Sequence, residues 1–431
     1  MVDPKSHWQS QRFKSRLRRR NRFERQFRYL GIAAIALAGL SLSVLLVSVL
    51  ANGLGATYRT EIALDIEFDP EILGIEVPGA GETAEITASA DFRAVLRTSL
   101  MQRFPDAEGR SEVRELVALL SRGAAAELAD RLVEDPALLG QRIEAWIPAS
   151  DDVNFWLKSE AGDSGSNSRL SERQVAWIEA LAADDRVARR FNGRFFSSGD
   201  SREPELAGIG GALIGSALTL LVTLAVSFPL GVAAAVYLEE FAPDNRWTRQ
   251  LEININNLAA VPSIVFGLLG LAVFLGLFGM PRSAPVVGGL TLALMTLPVI
   301  IIASRASIAA VPFWIRESAR GLGASPVQVV AHQVLPIAMP GIVTGTLLGL
   351  ARAMGETAPL LMIGMVAFIV DVPTNFTDAA SALPVQIFLW ADSPERGFVE
   401  KVSGAILVLL ALLGILNGAA ILLRQKFEQH W

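Results

Sequence analysis

The sequence predicts an all-α polytopic membrane protein of six transmembrane helices, with a small α+β domain inserted on the extracytoplasmic side. Three observations predict it. Of 431 residues, 52% are hydrophobic and only 19% are charged, where a soluble domain carries about a quarter charged residues. The excess gathers into uncharged runs at 30–58, 206–238, 253–281, 283–304, 337–370 and 402–423, the fifth interrupted only by Arg352 and Glu356. Each run can supply the roughly 20 apolar residues that cross a ~30 Å hydrocarbon layer. Between the first two runs, residues 53–205 hold 29 acidic against 17 basic side chains, a composition for water rather than lipid. Zero cysteines exclude disulfides and thiolate chemistry, and three distant histidines (His7, His332, His430) exclude a histidine metal cluster. No metal and no cofactor is expected, and a soluble enzyme is ruled out.

Taken in order, residues 1–29 form a basic arm with ten lysines and arginines between Lys5 and Arg28. Such an excess holds a terminus in the cytoplasm. The apolar run that follows far exceeds the h-region of a cleaved signal peptide, so 30–52 reads as an uncleaved first transmembrane helix. A nucleic-acid-binding arm is the competing reading of the same charges. Six crossings return the tail, 425–431, to the cytoplasm beside Arg424 and Lys426. Within 53–205, alternation at 61–68 and 85–92 predicts strands. Segments 111–134 and 171–191 predict amphipathic helices, the second opened by a capping box from Ser171 to Gln174. Residues 162–168, rich in Gly, Ser and Asn, predict a flexible loop. The net acidity of this domain repels anions, which favours partner docking or assembly over anion reception.

Residues 206–424 form the five-helix core, and the connection at 312–336 carries the mechanism. Pro312 is suited to a helix start, Gly321 and Gly323 stop that helix, and Ser325-Pro326 begins another. No G-x-x-x-x-G-K-[ST] phosphate cradle exists anywhere in the chain, so nucleotide hydrolysis belongs to another polypeptide.

Glu317-Ser318-Ala319, then Gly323, then Leu335-Pro336 resembles the EAA loop of permease subunits in ATP-binding-cassette importers. Two positions depart from that pattern: Ser318 stands where Ala is usual, and Gln333 where a branched aliphatic is usual. The resemblance implies a type I importer fold in which this loop is the coupling helix, seated in a cleft of the ATPase. Residues 237–243, 253–267 and 351–360, the last reading Ala-Arg-Ala-Met-Gly-Glu-Thr-Ala-Pro-Leu, sharpen the likeness to the PstA family of phosphate-transport permeases. It covers about 206–424 and does not extend to the 53–205 insert. It implies import of inorganic phosphate across the inner membrane. The implied partners are a PstC-like permease, an ATPase dimer (PstB-like), a phosphate-binding protein (PstS-like) and membrane lipids, with no nucleic acid.

Arg352 and Glu356 stand four apart, which predicts one helical face near mid-bilayer. A guanidinium there suits an oxyanion through its planar fork. With Thr357 and Arg305 these are the candidate pathway residues. A structural Arg–Glu lock between helices is the other reading of the pair. The family pattern places an Arg at the position of Ile302 and a Glu at that of Arg305. Arg305 therefore either replaces the missing guanidinium or marks a lost contact. Asn254, Asn256 and Asn257 read as polar bridges at the start of the third helix. Rival classes are a permease for sulfate or molybdate, a stand-alone secondary transporter, and a membrane-anchored sensor.

Overall fold

A computed structural model describes residues 11–75, 90–107, 109–158, 169–366 and 368–427. The expected loop at 162–168, positions 85–89 of the second expected strand, His7 and His430 lie outside them. The chain divides into two compact units, Met1–Asn52 and Gly53–Trp431, and each is described by itself. The first unit is the body of helix α1 (Gln11–Gly55). It carries no charge after Arg28, and its apolar side chains are exposed along most of their length, as a lipid-facing helix requires.

The second unit opens with a three-stranded antiparallel sheet, β1 (Tyr58–Glu67), β2 (Arg142–Pro148) and β3 (Val187–Phe191), ordered β2–β1–β3. Central β1 sets Ile62 opposite both Ile147 and Val187. Its alternation places Ile62, Leu64 and Ile66 on one buried face. They pack with Leu100 of α2 (Phe92–Arg103), Leu116 of α3 (Arg110–Val117), Leu128 of α4 (Ala124–Glu134) and Ile178 of α6 (Glu172–Ala183). Helix α5 (Asp151–Lys158) follows β2.

Three local expectations change. The helix expected over 111–134 is two, α3 and α4. Between them Leu120 forms a bridge with Ala149, and the Ser121 N–H donates to Pro148 O at 2.9 Å, so sheet pairing takes the backbone groups a helix would use. The helix expected over 171–191 stops at Ala183; Asp185 turns at φ 55°, and the rest becomes β3, paired with β1. The capping box on Ser171 is present. Phe92, expected to end a strand, instead begins α2, whose N-cap Asp91 accepts from Ala94 N–H.

The membrane part contains α7 (Gly210–Phe241), α10 (Pro285–Ala309), α12 (Pro326–Met354) and α15 (Gly397–Phe427). With α1 these make, among the described residues, five helices long and apolar enough to cross a membrane, or six if one bent pair counts as a span. The third expected span is that pair, α8 (Arg246–Ala259) and α9 (Ser263–Leu277), bent by 100°. Pro262 between them has no N–H to give and drives Val261 out of helical dihedrals. Asn254, Asn256 and Asn257 consequently sit on α8, exposed and before the bend. The fifth expected span is also interrupted. Helix α12 ends at Met354 with Gly355 as its cap, and the chain resumes as α13 (Ala358–Met362) and α14 (Leu383–Ala391).

Helices α7, α10 and α12 pack through small residues, as close helix approach in lipid demands. A Cβ on Gly289 would collide with Val222, one on Gly345 with Ala303, and one on Gly231 would lie 2.7 Å from Ile300. The buried Thr223 hydroxyl, 2.9 Å from Thr219 O and 3.1 Å from Gly289 O, bonds within α7 and across to α10.

The sheet layer and the helices belong to one compact body rather than to separate units. Lys158 Nζ pairs with Glu400 Oε2 at 2.6 Å and donates to Gly55 O at 2.9 Å. Gly397 N–H donates to Asp151 Oδ2 and Trp390 Nε1–H to Asp200 Oδ1, each at 2.8 Å. Asp151, Glu205, Glu400 and Lys401 share a small polar cavity of about 20 Å³, room for one water. Burial pushes the Glu205 carboxyl up to about 7, with the Asp151 and Glu203 carboxylates adding to the rise. Burial likewise raises Asp151. Lys401 is buried with its amine against the Phe195 ring.

Candidate functional site

The connection between α10 and α12 folds as a short helix, a turn and a helix start. Helix α11 (Phe313–Gly321) begins after Pro312. It closes through Leu322 N–H to Ser318 O and Gly323 N–H to Arg320 O, at 3.2 and 2.9 Å. Gly323 lies at φ 88°, left-handed backbone that a Cβ strains. The turn returns through Ala324 N–H to Ala319 O. Ser325 then caps the next helix reciprocally, its hydroxyl accepting from Gln328 N–H while Gln328 Oε1 accepts from Ser325 N–H. This second helix is no separate element: α12 runs on from Pro326 to Met354. A displacement at the turn is thus carried by a continuous helical rod, aside from one π-helical turn at Val330–Val334.

The loop presents a mixed face. Glu317 and Ser318 are exposed, and Glu317 Oε1 accepts from Arg320 at 3.2 Å. Phe313, Trp314 and Leu322 are exposed at 69%, 66% and 91%, which is costly in water and marks a surface built to be covered. A groove of about 430 Å³ between α11 and the start of α12 is lined by Trp314, Ile315, Ser318, Ala319, Leu322 and His332. Ala319 forms the floor of this groove and, with Leu335, is half-buried against the cluster of Val329, Val334 and Ile308. Pro336 is half-buried within the first turns of α12. The six residues expected at the coupling loop therefore divide: Glu317, Ser318 and Gly323 face outward, while Ala319, Leu335 and Pro336 root the loop.

Sequence reasoning missed the residues that brace this loop. Arg316, on α11, forks onto Glu240 at the π-helical end of α7, with its closest N···O distance at 2.6 Å. Next to it, Glu239 takes Arg305 of α10 at 3.3 Å, and Arg305 also reaches Glu252 of α8 at 2.8 Å. The available signal was Tyr237-Leu-Glu-Glu-Phe241, two consecutive carboxylates at the end of a span, each requiring a cation.

Arg305 is thereby held by two carboxylates, whereas Ile302 is an exposed apolar residue. Arg352 lies in the last turn of α12. Glu356 lies beyond the helix end, so the two do not share a continuous helical face. They still approach to 3.6 Å, with the Arg352 side chain 54% exposed. Thr357 precedes α13, half-buried and without a side-chain cap bond. Arg352, Glu356 and Thr357 are thus together at the break after α12, and Arg305 is not with them. Among the described residues no group of three or more His, Cys, Asp or Glu could hold a metal ion.

Comparison with known proteins gives two family matches. Residues 227–429 match the family described as binding-protein-dependent transport system inner membrane component. Residues 14–166 match a domain of unknown function (DUF3333). The chain is 35% identical over 217 residues to phosphate transport system permease protein PstA 1 of Mycobacterium tuberculosis, covering 50% of this chain and 70% of that protein. It is 31% identical over 211 residues to PstA of Yersinia pestis, covering 49% and 70%. It is 34% identical over 190 residues to a probable ABC transporter permease protein, YqgI, of Bacillus subtilis, covering 43% and 63%. An inward-facing structure of the MetNI methionine ABC transporter overlays with a TM-score of 0.41 at 17% identity, over 51% of this chain and 96% of that one.

Proposed function

The chain belongs to the PstA family of phosphate-transport permeases, and from that premise we propose that it is the membrane subunit through which an ATP-driven importer passes inorganic phosphate. The observation that carries this is the α11 turn. It presents a charged and aromatic face outward, is held by a positive-φ glycine, and is continuous with a membrane helix. Such a knob takes a push from a separate ATPase and delivers it to the bundle. Partners of PstB, PstC and PstS type fit this role, as does a multi-pass place in the inner membrane.

The basic arm supports cytoplasmic termini and, with them, a periplasmic side for 53–205. There its acidity suits assembly or docking of a binding protein. Arg352 is assigned to the anion path with Glu356 and Thr357, since its guanidinium is the more open of the two charged groups at the α12 break. Arg305, spent on Glu239 and Glu252, is assigned to bracing.

The test is uptake of labelled phosphate by cells lacking their own phosphate importer and supplied with this chain and its ATPase, permease and binding-protein partners. Uptake that needs ATP and is lost in Glu317→Arg supports the reading. Uptake without an ATPase points to a secondary transporter, and ATP-dependent uptake of labelled sulfate or molybdate with none of phosphate reassigns the anion. Either result overturns it.

A further inference from the structure

Arg316 is one of the most fully committed side chains in the bundle. Its Nε lies 3.0 and 3.3 Å from the two oxygens of Glu240, and one Nη lies 2.6 Å from Glu240 Oε1. The same Nη donates to Ile308 O at 2.9 Å, and the other Nη donates to Val311 O at 2.6 Å. Both side chains are nearly buried, 12% exposed for Arg316 and 7% for Glu240. One guanidinium therefore ties three elements: α11, which carries it; the C-terminal end of α10, through the Ile308 carbonyl and that of Val311 just beyond the helix, where the helix dipole favours a cation; and the last turn of α7.

That last turn is π-helical, Tyr237–Phe241. It offers consecutive carboxylates to different elements, Glu239 to Arg305 of α10 and Glu240 to Arg316 of α11. Apolar contacts also join these helices, through Val236, Ile308, Val311 and Ile315. Apolar contact is non-directional and tolerates sliding, whereas a bidentate fork fixes distance and orientation together. A force applied to α11 reaches α12 through the chain itself, but it reaches α7 only through side chains.

We propose that the Arg316–Glu240 fork is the joint that carries movement of α11 into α7, so that Arg316 and Glu240 are positioning residues for coupling ATP hydrolysis to transport. This rests on the coupling-loop reading above. Lysine at 316 keeps the charge but loses the planar fork, and its three N–H donors cannot replace the four that Arg316 directs at Glu240, Ile308 O and Val311 O. Glutamine at 240 keeps the shape and loses the charge.

The assay is the complete transporter in proteoliposomes, measuring phosphate imported and ATP hydrolysed in the same vesicles, normalised to assembled complex. Arg316→Lys and Glu240→Gln should each retain ATPase binding and hydrolysis while phosphate moved per ATP falls at least about fivefold, the lower end of ordinary coupling energies. An unchanged ratio in both variants overturns the proposal. So does a fall in uptake and hydrolysis together that merely follows the amount of complex, since that is a structural role alone. If the unaltered complex moves no phosphate, or Glu317→Arg does not impair it, the coupling reading itself has failed, and with it the joint.

Discussion

Replacing Gly321 and Gly323 separately by alanine isolates what the turn between α11 and α12 demands of its backbone. An added Cβ meets nothing within 4 Å at either position, so packing contributes to neither variant. Gly321 is the last residue of α11, where alanine gains up to about 1 kcal/mol of helix propensity, less so close to a terminus. Gly323 sits at φ 88°, and an L-residue held in the left-handed region costs about 1–2 kcal/mol. The two alanines thus act in opposite directions, two residues apart. At about 1.4 kcal/mol per tenfold, Gly323→Ala should raise local opening of α11 roughly 5- to 30-fold, and Gly321→Ala should lower it by up to about fivefold. Hydrogen exchange of the α11 amides in the nucleotide-free complex reads both. Protection in Gly323→Ala equal to the original chain, or a shift of both variants in the same direction, would refute the argument that this turn is set by its dihedral.

The Glu205 carboxyl, raised from 4.5 to about 7, contributes stability that is full below its unfolded value and is lost as pH rises through 7, about 3 kcal/mol in all. Unfolding of the purified protein between pH 5 and 8 should show that decline, Glu205→Gln should flatten it, and an unaltered slope in the variant defeats the assignment. At the α12 break, Arg352→Gln with Glu356→Gln should assemble normally yet import no phosphate if the guanidinium meets the anion. Near-normal uptake, normalised to protein in the membrane, would leave the pair a structural lock. For orientation, the cysteine-free chain allows single labels at exposed positions: an impermeant thiol reagent on spheroplasts should modify Ser111→Cys and spare Arg320→Cys, and the reverse pattern inverts the topology.

Whatever depends on composition and on near neighbours along the chain could be read from the residues alone. Uncharged length marks the membrane helices, since the cost of a charge in lipid is paid residue by residue. Alternation placed β1, and the Ser171 and Ser325 caps were legible because a capping box closes within four residues. The turn after α11 was legible for the same reason, a local φ that only Gly323 accepts cheaply. Tertiary structure decided wherever a segment's backbone or charge found a distant partner. Segment 187–191 carried a helical pattern and became a strand because β1 had an open edge for it. Residues 118–123 left the helix because Pro148 and Ala149 claimed their backbone groups. Arg305 was expected along the anion path from its place in the sequence; that Glu239 and Glu252, 66 and 53 residues away, hold its guanidinium could be seen only in the fold. The brace on Arg316 was invisible for the same reason: its carboxylate lies 76 residues upstream. Charge pairing depends on proximity in space, and only the packing of α7 against α10 and α11 brings those groups within a hydrogen bond of each other.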